Sequence, residues 1–337
     1  MFGKKSKAVV AGLSLVMALA PAVPAFAEGE PSVKKTLQTN AGSSVANATF
    51  KFSATPKTIN LGNGTTTGSV TWTPQINDIT LNETKDETTK EGTAAVTFGD
   101  WPAPGVYAWT IRETADTYEG VGDMQYDPQV YTLFANVTNG TNGYDVSYVI
   151  VKGDTDTFKN DNSKKTSSLD FTNKFTETNT ENNKPFTITK TVTGDQGDQN
   201  KNFEFTVVFH APNVLPEGVT PESYLAAITA TGATDFANNA GTVTFKLKHG
   251  QTATFNNIVA GTTYTVDETD VAGYTTTGEI TEAKTLSEDG SEETVTNAFN
   301  DVTPTGLVIN NAPFIVMIGA AAAGVVAYGS AKRKLEK

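Results

Sequence analysis

Ser-Val-Lys-Lys-Thr-Leu at residues 32–37 and Thr-Ile-Thr-Lys-Thr-Val at residues 187–192 open two halves of this chain that echo each other. Each opening is followed by a Phe-x-Phe segment, Phe50-Lys51-Phe52 in the first half and Phe203-Glu204-Phe205 in the second. The echo is weak in residue identity but consistent in order, which is typical of a duplicated structural unit. The two stretches therefore predict two domains with the same fold.

The residues around these openings predict that both domains are all-β. Thr, Val, Phe and Tyr are abundant, and alternating runs such as Val106–Ile111 recur along the chain. Asn-Gly turn signals, for example Asn63-Gly64 and Asn139-Gly140, separate these runs. After residue 28 we find no long apolar period of 3.6 residues before the C-terminal tail, and we expect one short helix at Ser223–Ile228.

Three chemically active residue types recur in the same order in both halves. A lysine on each opening strand, Lys35 or Lys190, precedes a glutamate, Glu113 or Glu268, by 78 residues. Each half then closes on a predicted strand that ends in asparagine; the two strand ends are Phe171-Thr172-Asn173 and Val295-Thr296-Asn297. An ordered Lys–Glu–Asn trio that occurs twice is a stronger signal than any one of its members.

Such a trio can form a covalent cross-link if the first and last strands of a domain are neighbours. Burial lowers the pKa of a lysine and raises the pKa of a glutamate, which leaves a neutral amine beside a protonated carboxyl group. The amine can then attack the asparagine amide carbon and release ammonia, and holding the groups in contact contributes roughly 7–11 kcal/mol of the barrier. Alternatively, these lysines and glutamates lie on solvated strand faces, as most charged residues do.

The N-terminus has the pattern of a secretory signal peptide. Lys4, Lys5 and Lys7 form a basic region, and an apolar run follows at Ala8–Ala20. Ala25-Phe26-Ala27 then provides the small residues of a cleavage site, so we expect the mature chain to begin at residue 28. A lone membrane helix is the alternative, but the run is short and prolines interrupt the segment after it.

The C-terminus combines a short motif, an apolar run and a basic cluster. Val302-Thr-Pro-Thr-Gly306 precedes the run Ala312–Tyr328, and Lys332-Arg333-Lys334 follows it. As a helix, the 17 residues of the run span about 26 Å, enough to cross the hydrocarbon core of a bilayer. The basic cluster is then expected on the cytoplasmic side. On its own this pattern also fits a simple C-terminal membrane anchor.

The segment between the two terminal signals, residues 28–305, is strongly acidic. The full chain has 25 basic and 37 acidic residues, and the terminal signals hold seven of the basic and one of the acidic residues. The remaining 18 basic and 36 acidic residues give a net charge near −18. This charge disfavours nucleic acid and anionic membrane surfaces as partners and favours solubility outside a cell.

The sequence offers little for catalysis on an external substrate. It contains no cysteine, its two histidines, His210 and His249, are far apart, and it has no Gly-rich phosphate loop or Gly-x-Ser-x-Gly motif. We therefore predict a protein that is not an enzyme, apart from self-catalysed isopeptide formation, and that has no cofactor or metal site. Any covalent cross-link in this secreted chain must be of a kind other than a disulfide.

The repeated trio and the tail together resemble a known family. Pro304-Thr305-Gly306 resembles a sortase sorting signal of Gram-positive bacteria, although the common form is Leu-Pro-x-Thr-Gly and Thr303 stands where Val-Pro-Thr-Gly variants have valine. The mature chain as a whole resembles Gram-positive backbone pilins of the streptococcal T-antigen type, which have two isopeptide-linkage domains. The segments that carry the resemblance are Val33-Lys34-Lys35-Thr36, Pro104–Tyr107 with Glu113, Leu169–Asn173, Thr189–Gly194, Tyr264 with Glu268, and Val295–Asn297.

This resemblance implies two tandem immunoglobulin-like β-sandwiches, each with one internal isopeptide bond. The implied pairs, each with its catalytic glutamate, are Lys35–Asn173 with Glu113 and Lys190–Asn297 with Glu268. Lys34 is the alternative to Lys35, because the two lysines are adjacent. The resemblance also implies that a sortase cleaves between Thr305 and Gly306 and joins the Thr305 carboxyl group to an amine elsewhere.

In this family the acceptor amine is a lysine on the loop before the closing strand of the first domain. The matching position here, seven residues before Asn173, is Thr166, and the nearest lysines are Lys164 and Lys165. The stretch from residue 154 to residue 168 is polar and suits an exposed loop. We favour Lys165 as the acceptor, with Lys164 as the alternative and Lys159 as a nearby competitor.

We therefore predict a structural subunit of a sortase-assembled, covalently polymerised cell-surface pilus. Its predicted parts are a signal peptide at 1–27, β-sandwiches at 28–178 and 183–301 joined by a polar linker at Glu177–Lys184, and a sorting signal at 302–337. The expected partners are a sortase, identical subunits, minor pilins and peptidoglycan, with the precursor held transiently in the membrane. The alternative is a wall-anchored adhesin or minor pilin that is not polymerised.

Overall fold

The computed structural model describes residues 29–62, 64–115, 118–156, 162–181 and 184–299. Over these ranges the regular secondary structure is almost wholly β-strand, and the strands form two sandwiches, which confirms the all-β prediction. The predicted signal peptide at 1–27 and the predicted sorting signal at 302–337 lie outside the described residues. Within the described ranges, no helix is long and apolar enough to span a membrane.

The N-terminal sandwich has a five-stranded and a six-stranded sheet. Its strands are β1 (Ser32–Gln38), β2 (Ser44–Val45), β3 (Ala48–Pro56), β4 (Asn60–Gly62), β5 (Thr65–Thr66), β6 (Gln75–Ile76), β7 (Ile79–Leu81), β8 (Thr84–Lys85), β9 (Thr89–Thr97), β10 (Gly105–Thr114), β11 (Asp123–Gln125), β12 (Val130–Gly140), β13 (Gly143–Lys152), β14 (Lys165–Thr166) and β15 (Leu169–Thr176). The sheet orders are β11-β15-β1-β9-β6 and β14-β13-β12-β10-β3-β7, and β2-β8 and β4-β5 form small ribbons. A 3-10 helix, Asn162–Lys164, precedes β14.

The C-terminal sandwich has two five-stranded sheets. Its elements are β16 (Phe186–Thr193), β17 (Phe203–His210), the helix α1 (Pro221–Ala226), β18 (Ala230–Thr231), β19 (Thr234–Asn239), β20 (Thr242–Leu247), β21 (Thr252–Phe255), β22 (Thr263–Glu268), β23 (Tyr274–Thr277), β24 (Ile280–Thr285) and β25 (Ser291–Phe299). The sheet orders are β18-β21-β16-β25-β23 and β19-β20-β17-β22-β24. Each sandwich has its own hydrophobic core.

The opening strand of each sandwich places every second residue in the core. The inward residues are Val33, Lys35 and Leu37 in β1, and Phe186, Ile188, Lys190 and Val192 in β16. Successive side chains of a strand point to opposite faces, so a lysine at an inward position is buried together with its apolar neighbours. One lysine in each opening strand thus occupies a position that would otherwise hold an apolar core residue.

The first and last strands of each sandwich are hydrogen-bonded neighbours. β1 pairs in parallel with β15, and β16 pairs in parallel with β25. Parallel neighbours cannot be joined by a tight turn, and here all the other strands of the domain lie between the two paired strands in the sequence. The adjacency that the Lys–Glu–Asn hypothesis requires is therefore present in both halves.

The one α-helix in the described part of the chain begins earlier than the expected Ser223–Ile228. It runs from Pro221 to Ala226 because Thr220 caps it: the Thr220 side chain accepts a hydrogen bond from the Ser223 backbone N–H, and the Ser223 side chain completes the capping box. Proline at the first helical position is also favourable there. The expected helix was therefore two residues too late at both ends, because the capping signal at Thr220 was not identified in the sequence.

The predicted polar linker, Glu177–Lys184, is not a solvated connection at its start. Glu177 and Asn179 are buried, and the Glu177 carbonyl accepts a hydrogen bond of 2.8 Å from the Ala260 N–H. The Asn179 side chain accepts from the Ile258 N–H at 3.1 Å and donates to the Phe255 carbonyl at 3.2 Å. The start of the linker is therefore packed against the second sandwich, whose backbone groups satisfy its hydrogen bonds.

A second contact between the sandwiches lies close to this linker. The Asn40 side chain donates to the Val214 carbonyl at 2.7 Å and accepts from the Val214 N–H at 2.8 Å. The Gly42 carbonyl accepts a hydrogen bond of 2.9 Å from the Glu288 N–H. Gly42 has a φ of 83°, and a Cβ at this position would lie 2.7 Å from the Leu286 carbonyl oxygen, so this approach requires glycine.

Candidate functional site

The adjacent lysines of β1 have opposite environments. Lys35 is fully buried, with its Nζ 4.6 Å from the centroid of the Phe50 ring. The Lys34 side chain is 42% exposed and forms a 2.8 Å ion pair with Glu91 on the outer face. The pleat of β1 therefore selects Lys35 as the lysine that enters the core.

Lys35, Glu113 and Asn173 meet inside the N-terminal sandwich. Lys35 Nζ lies 2.8 Å from Glu113 Oε1, and Asn173 Nδ2 donates to the same oxygen at 2.9 Å. Asn173 Oδ1 accepts a hydrogen bond of 2.9 Å from the backbone N–H of Asp127. The other carboxyl oxygen, Glu113 Oε2, is buried without a hydrogen-bond partner among the described residues. One glutamate oxygen thus touches both the amine and the amide nitrogen.

Burial sets the electrostatics of this cluster. Desolvation lowers the pKa of Lys35 to about 8, against the opposing attraction of Glu113. The same desolvation raises the pKa of Glu113, although Lys35 and Asn173 both stabilise its charged form. Both shifts favour the neutral amine and the neutral acid, which are the forms required for attack on an amide.

Lys190, Glu268 and Asn297 form the corresponding cluster in the C-terminal sandwich. Lys190 Nζ lies 2.6 Å from Glu268 Oε2 and donates to Asn297 Oδ1 at 2.6 Å. Asn297 Nδ2 donates to Glu268 Oε1 at 2.6 Å, which closes a ring of three contacts. The Lys190 Nζ also lies 4.4 Å from the centroid of the Phe203 ring. All three polar residues are buried.

The pKa shifts in this second cluster have the same directions as in the first. Burial lowers the pKa of Lys190 and raises the pKa of Glu268, and each residue partly offsets the shift of the other. The negative charge of Glu279 also raises both pKa values. The two clusters are therefore chemically alike, although their asparagine oxygens have different partners.

Two neighbouring acids were not identified from the sequence. Asp127 donates its N–H to Asn173, and Glu279 accepts a hydrogen bond of 3.0 Å from the Glu268 N–H. No repeat in the sequence marks these acids, because they follow edge strands of different lengths. By contrast, the repeated Phe-x-Phe signal was visible, and its phenylalanines Phe50 and Phe203 lie against the buried lysines.

The predicted acceptor lysines do not lie in a simple exposed loop. Lys165 belongs to the short strand β14, opposite Val151, where it is half-buried and burial lowers its pKa. Lys164 ends the 3-10 helix and is exposed. Exposure therefore favours Lys164 over Lys165. The competitor Lys159 and the predicted cleavage pair Thr305 and Gly306 lie outside the described residues.

Neither histidine belongs to a metal-binding cluster in the described part of the chain. No group of three or more His, Cys, Asp or Glu side chains there is placed to hold a metal ion. His249 has a structural contact instead, since its Nδ1 accepts a hydrogen bond of 2.9 Å from the N–H of Val192, which lies on the same strand as the buried Lys190.

Two family profiles match the chain without overlap. The profile of the Spy0128-like isopeptide containing domain matches residues 31–176, and a domain of unknown function matches residues 184–299. No curated protein sequence matches the chain. The first of these matches covers the sandwich that contains Lys35, Glu113 and Asn173.

Among the solved structures that match the chain are pilus proteins, two of them from Streptococcus pyogenes. The major pilin from Streptococcus pyogenes is 20% identical, with 81% of this chain and 99% of the pilin covered and a TM-score of 0.39. Its T-13 counterpart from the same species is 19% identical, with coverages of 82% and 100% and a TM-score of 0.36. A pilus-presented adhesin is 18% identical, with coverages of 56% and 39% and a TM-score of 0.29.

These structural matches are distant, whereas the family profile spans an entire sandwich with its buried cluster. Residues 31–176 thus match the model of the Spy0128-like isopeptide containing domain, in agreement with the resemblance of the sequence to Gram-positive pilins with isopeptide domains.

Proposed function

We propose that this chain is a structural subunit of a sortase-assembled, covalently polymerised cell-surface pilus, and that each sandwich is tied by a self-formed Lys–Asn isopeptide bond. The observation that carries the proposal is the pair of buried Lys–Glu–Asn clusters, each of which connects the first strand of a domain to its last. A subunit with such bonds transmits tension along a covalent path, as a fibre under pull requires.

In the N-terminal domain, Lys35 is the nucleophile and Asn173 is the electrophile. A proton passes from the Lys35 ammonium to Glu113 across their 2.8 Å contact, which leaves a neutral amine beside a neutral acid. The Nζ lone pair then forms a bond to Asn173 Cγ. Glu113 passes its proton to Nδ2 and takes a second proton from Nζ, the Cγ–Nδ2 bond breaks, and ammonia leaves, so that the amide bond is neutral and Glu113 ends protonated.

In the C-terminal domain, the two oxygens of Glu268 divide the same work. Oε2 contacts the Lys190 amine and Oε1 contacts the Asn297 amide nitrogen, so one carboxyl group spans both proton positions. Because the cluster is fully buried, water cannot compete with the amine for the amide carbon.

Parallel pairing gives the cross-links their mechanical role. In a parallel pair, the start of the first strand and the end of the last strand lie at opposite ends of the pair. Tension that enters at β1 and leaves from β15 therefore shears the two strands past each other. A bond from Lys35 to Asn173 would carry that tension directly and leave the other strands of the domain unloaded.

In this proposal, polymerisation uses two regions of the chain: the predicted tail provides the carboxyl group, and the region before β15 provides the acceptor lysine. A sortase cleaves after Thr305 and transfers its carboxyl group to Lys164 or Lys165 of the next identical subunit. An exposed ammonium stays hydrated and can reach an external active site, which favours Lys164. The finished fibre also takes up minor pilins and is joined to peptidoglycan on the cell surface.

An immunoblot of cell-wall extracts tests this function directly. The full chain is expressed with and without a pilus sortase in a Gram-positive host, and the extracts are boiled in detergent before separation. A ladder of high-mass bands that depends on the sortase is the expected result. A single sortase-dependent band identifies instead a wall-anchored monomer, such as an adhesin or minor pilin.

A further inference from the structure

We propose that the backbone N–H of Asp127 stabilises the negative charge that develops on Asn173 Oδ1 during cross-linking, and that the Asp127 side chain is the residue that positions this N–H. The inference rests on the proposed Lys35–Asn173 bond and adds a component to it. It applies to the N-terminal domain alone.

The Asn173 amide is held at both of its polar atoms. Its oxygen accepts from the Asp127 N–H at 2.9 Å, while its nitrogen donates to Glu113 Oε1 at 2.9 Å. A donor on the oxygen polarises the carbonyl and stabilises the tetrahedral intermediate, and an acid on the nitrogen assists its departure. These are the two partners that attack by an amine on an amide requires.

The Asp127 side chain fixes the backbone that presents this N–H. Its Oδ1 accepts from the Gln129 N–H at 2.9 Å, and its Oδ2 accepts from the Thr172 N–H at 2.7 Å. The strand β11 ends at Gln125, whose partner on β15 is Lys174. Beyond this point the Asp127 carboxyl group replaces a strand partner for β15, which locks residue 127 beside the asparagine.

The charge of Asp127 does not explain its position. Its carboxyl group raises the pKa of Lys35 and of Glu113, and the first of these effects opposes formation of the neutral amine. A purely electrostatic role would therefore slow the reaction at Lys35. Asp127 favours the reaction through its hydrogen bonds instead: its side chain fixes the local backbone, and its N–H donates to Asn173 Oδ1.

The C-terminal domain provides an internal comparison. Among the described residues, the donor to Asn297 Oδ1 is the Lys190 Nζ at 2.6 Å, and no backbone N–H occupies the place that Asp127 has in the first domain. The Lys190–Asn297 bond should therefore form at the same rate whatever residue occupies position 127.

The test measures both bonds in the same molecule. The full chain is translated in a cell-free system, samples are quenched in denaturant over time, and the cross-linked Lys35–Asn173 and Lys190–Asn297 peptides are quantified after proteolysis. The variants are Asp127→Ala, Asp127→Asn, which keeps an acceptor but no charge, and Asp123→Ala as a control on the neighbouring strand. Thermal melting of Asp127→Ala in the unreactive Glu113→Ala background reports on folding.

Asp127→Ala should slow formation of the Lys35–Asn173 bond by about tenfold or more, since one oxyanion donor is worth about 10²–10³-fold in rate. Asp127→Asn should restore part of this loss, and Asp123→Ala should have no effect. The inference is overturned if Asp127→Ala reacts at the wild-type rate or faster. It is also overturned if the slow variants fail to fold. A wild-type chain without the Lys35–Asn173 bond would refute the proposed function itself.

Discussion

Asn173 lies two residues beyond the direct strand partner of Lys35: on the parallel strands β1 and β15, Lys35 is opposite Phe171. Lys190 and Asn297 have the same offset in the C-terminal domain. Because residues two apart on a strand share a face, this offset brings both side chains into the core from one sheet. A shift of register by one residue would move one of them to the opposite face and separate the pair.

The first prediction concerns the mass of the mature protein. Wild type should lack two molecules of ammonia relative to its sequence, and Glu113→Ala and Glu268→Ala should each restore one. Each variant should also lose stability, because a cross-link that closes a loop of about 100 residues contributes roughly 4–5 kcal/mol. Intact-mass spectrometry and thermal melting measure both effects.

A matched control for these variants is Glu91→Ala. Glu91 is a half-exposed glutamate on β9 that pairs with Lys34 on the outer face, so its loss should leave the mass deficit and the melting temperature nearly unchanged. An unmodified wild-type mass would contradict the cross-links in both domains.

The second prediction separates the adjacent lysines of β1. Lys35→Ala should abolish the N-terminal cross-link, whereas Lys34→Ala should retain it, because Lys35 alone is buried beside Glu113. Peptide mapping after proteolysis distinguishes the two outcomes. If Lys34→Ala lost the cross-link and Lys35→Ala kept it, the register of β1 would be wrong by one residue.

The third prediction concerns pH in a variant that cannot react. Asn173→Ala keeps Lys35 and Glu113, and burial lowers the pKa of Lys35 from 10.5 to about 8. Between these pH values the unfolded chain binds more protons than the folded one, so the free energy of unfolding should rise with pH. Below this window Lys35 is protonated in both states and its contribution to the slope should vanish.

Denaturant unfolding of Asn173→Ala at several pH values measures this slope. The matched control is the double variant Lys35→Met with Asn173→Ala, in which other lysines still titrate but the buried amine is absent. Equal slopes for the two proteins between pH about 8 and 10.5 would show that Lys35 has an ordinary pKa.

The fourth prediction identifies the acceptor of the sortase reaction. Replacing Lys164 and Lys165 together with alanine should abolish the high-mass ladder and leave both internal cross-links intact. Of the single variants, Lys164→Ala should have the larger effect, since Lys165 is half-buried in β14. Lys159→Ala should polymerise normally. Normal ladders from the double variant would place the acceptor elsewhere.

The fifth prediction concerns the segment between the sandwiches. Asn179→Ala should destabilise the C-terminal domain by about 1–3 kcal/mol, because it leaves buried backbone groups of Phe255 and Ile258 without partners. Thr180→Ala is the control, since its hydrogen bond to Asn257 is exposed. If both variants melt at the wild-type temperature, the contacts of Asn179 do not stabilise the C-terminal domain.

Much of the fold could be predicted because local patterns determine it. Alternation in β1 and β16 predicts strands, and the repeated order of Lys35, Glu113 and Asn173 matches a cluster that the structure brings together. Each of these residues must lie on the inner face of a strand. Inner and outer residues alternate along a strand, so the alternation of apolar and polar residues shows in the sequence which positions point inward.

Other features depend on contacts between distant segments and leave no local pattern. Asp127 lies beside Asn173 only because β11 ends early, and Asn179 is buried only because the second sandwich covers it. Lys165 belongs to a strand because its backbone pairs with the edge of β13, and not because the residues around it in the sequence favour a strand. Polarity alone predicted an exposed loop at Lys165, and its pairing with β13 overrode that prediction.

In the proposed fibre, the joint between the sandwiches also determines where bending can occur. Asn40 and Val214 exchange two hydrogen bonds, and Gly42 approaches the second domain more closely than any residue with a Cβ could. Rotation of one sandwich against the other must break these contacts together. Thermal bending of the fibre should therefore occur at the junctions between chains, once per subunit. The rigid unit of the fibre is then the two-domain subunit and not the single domain.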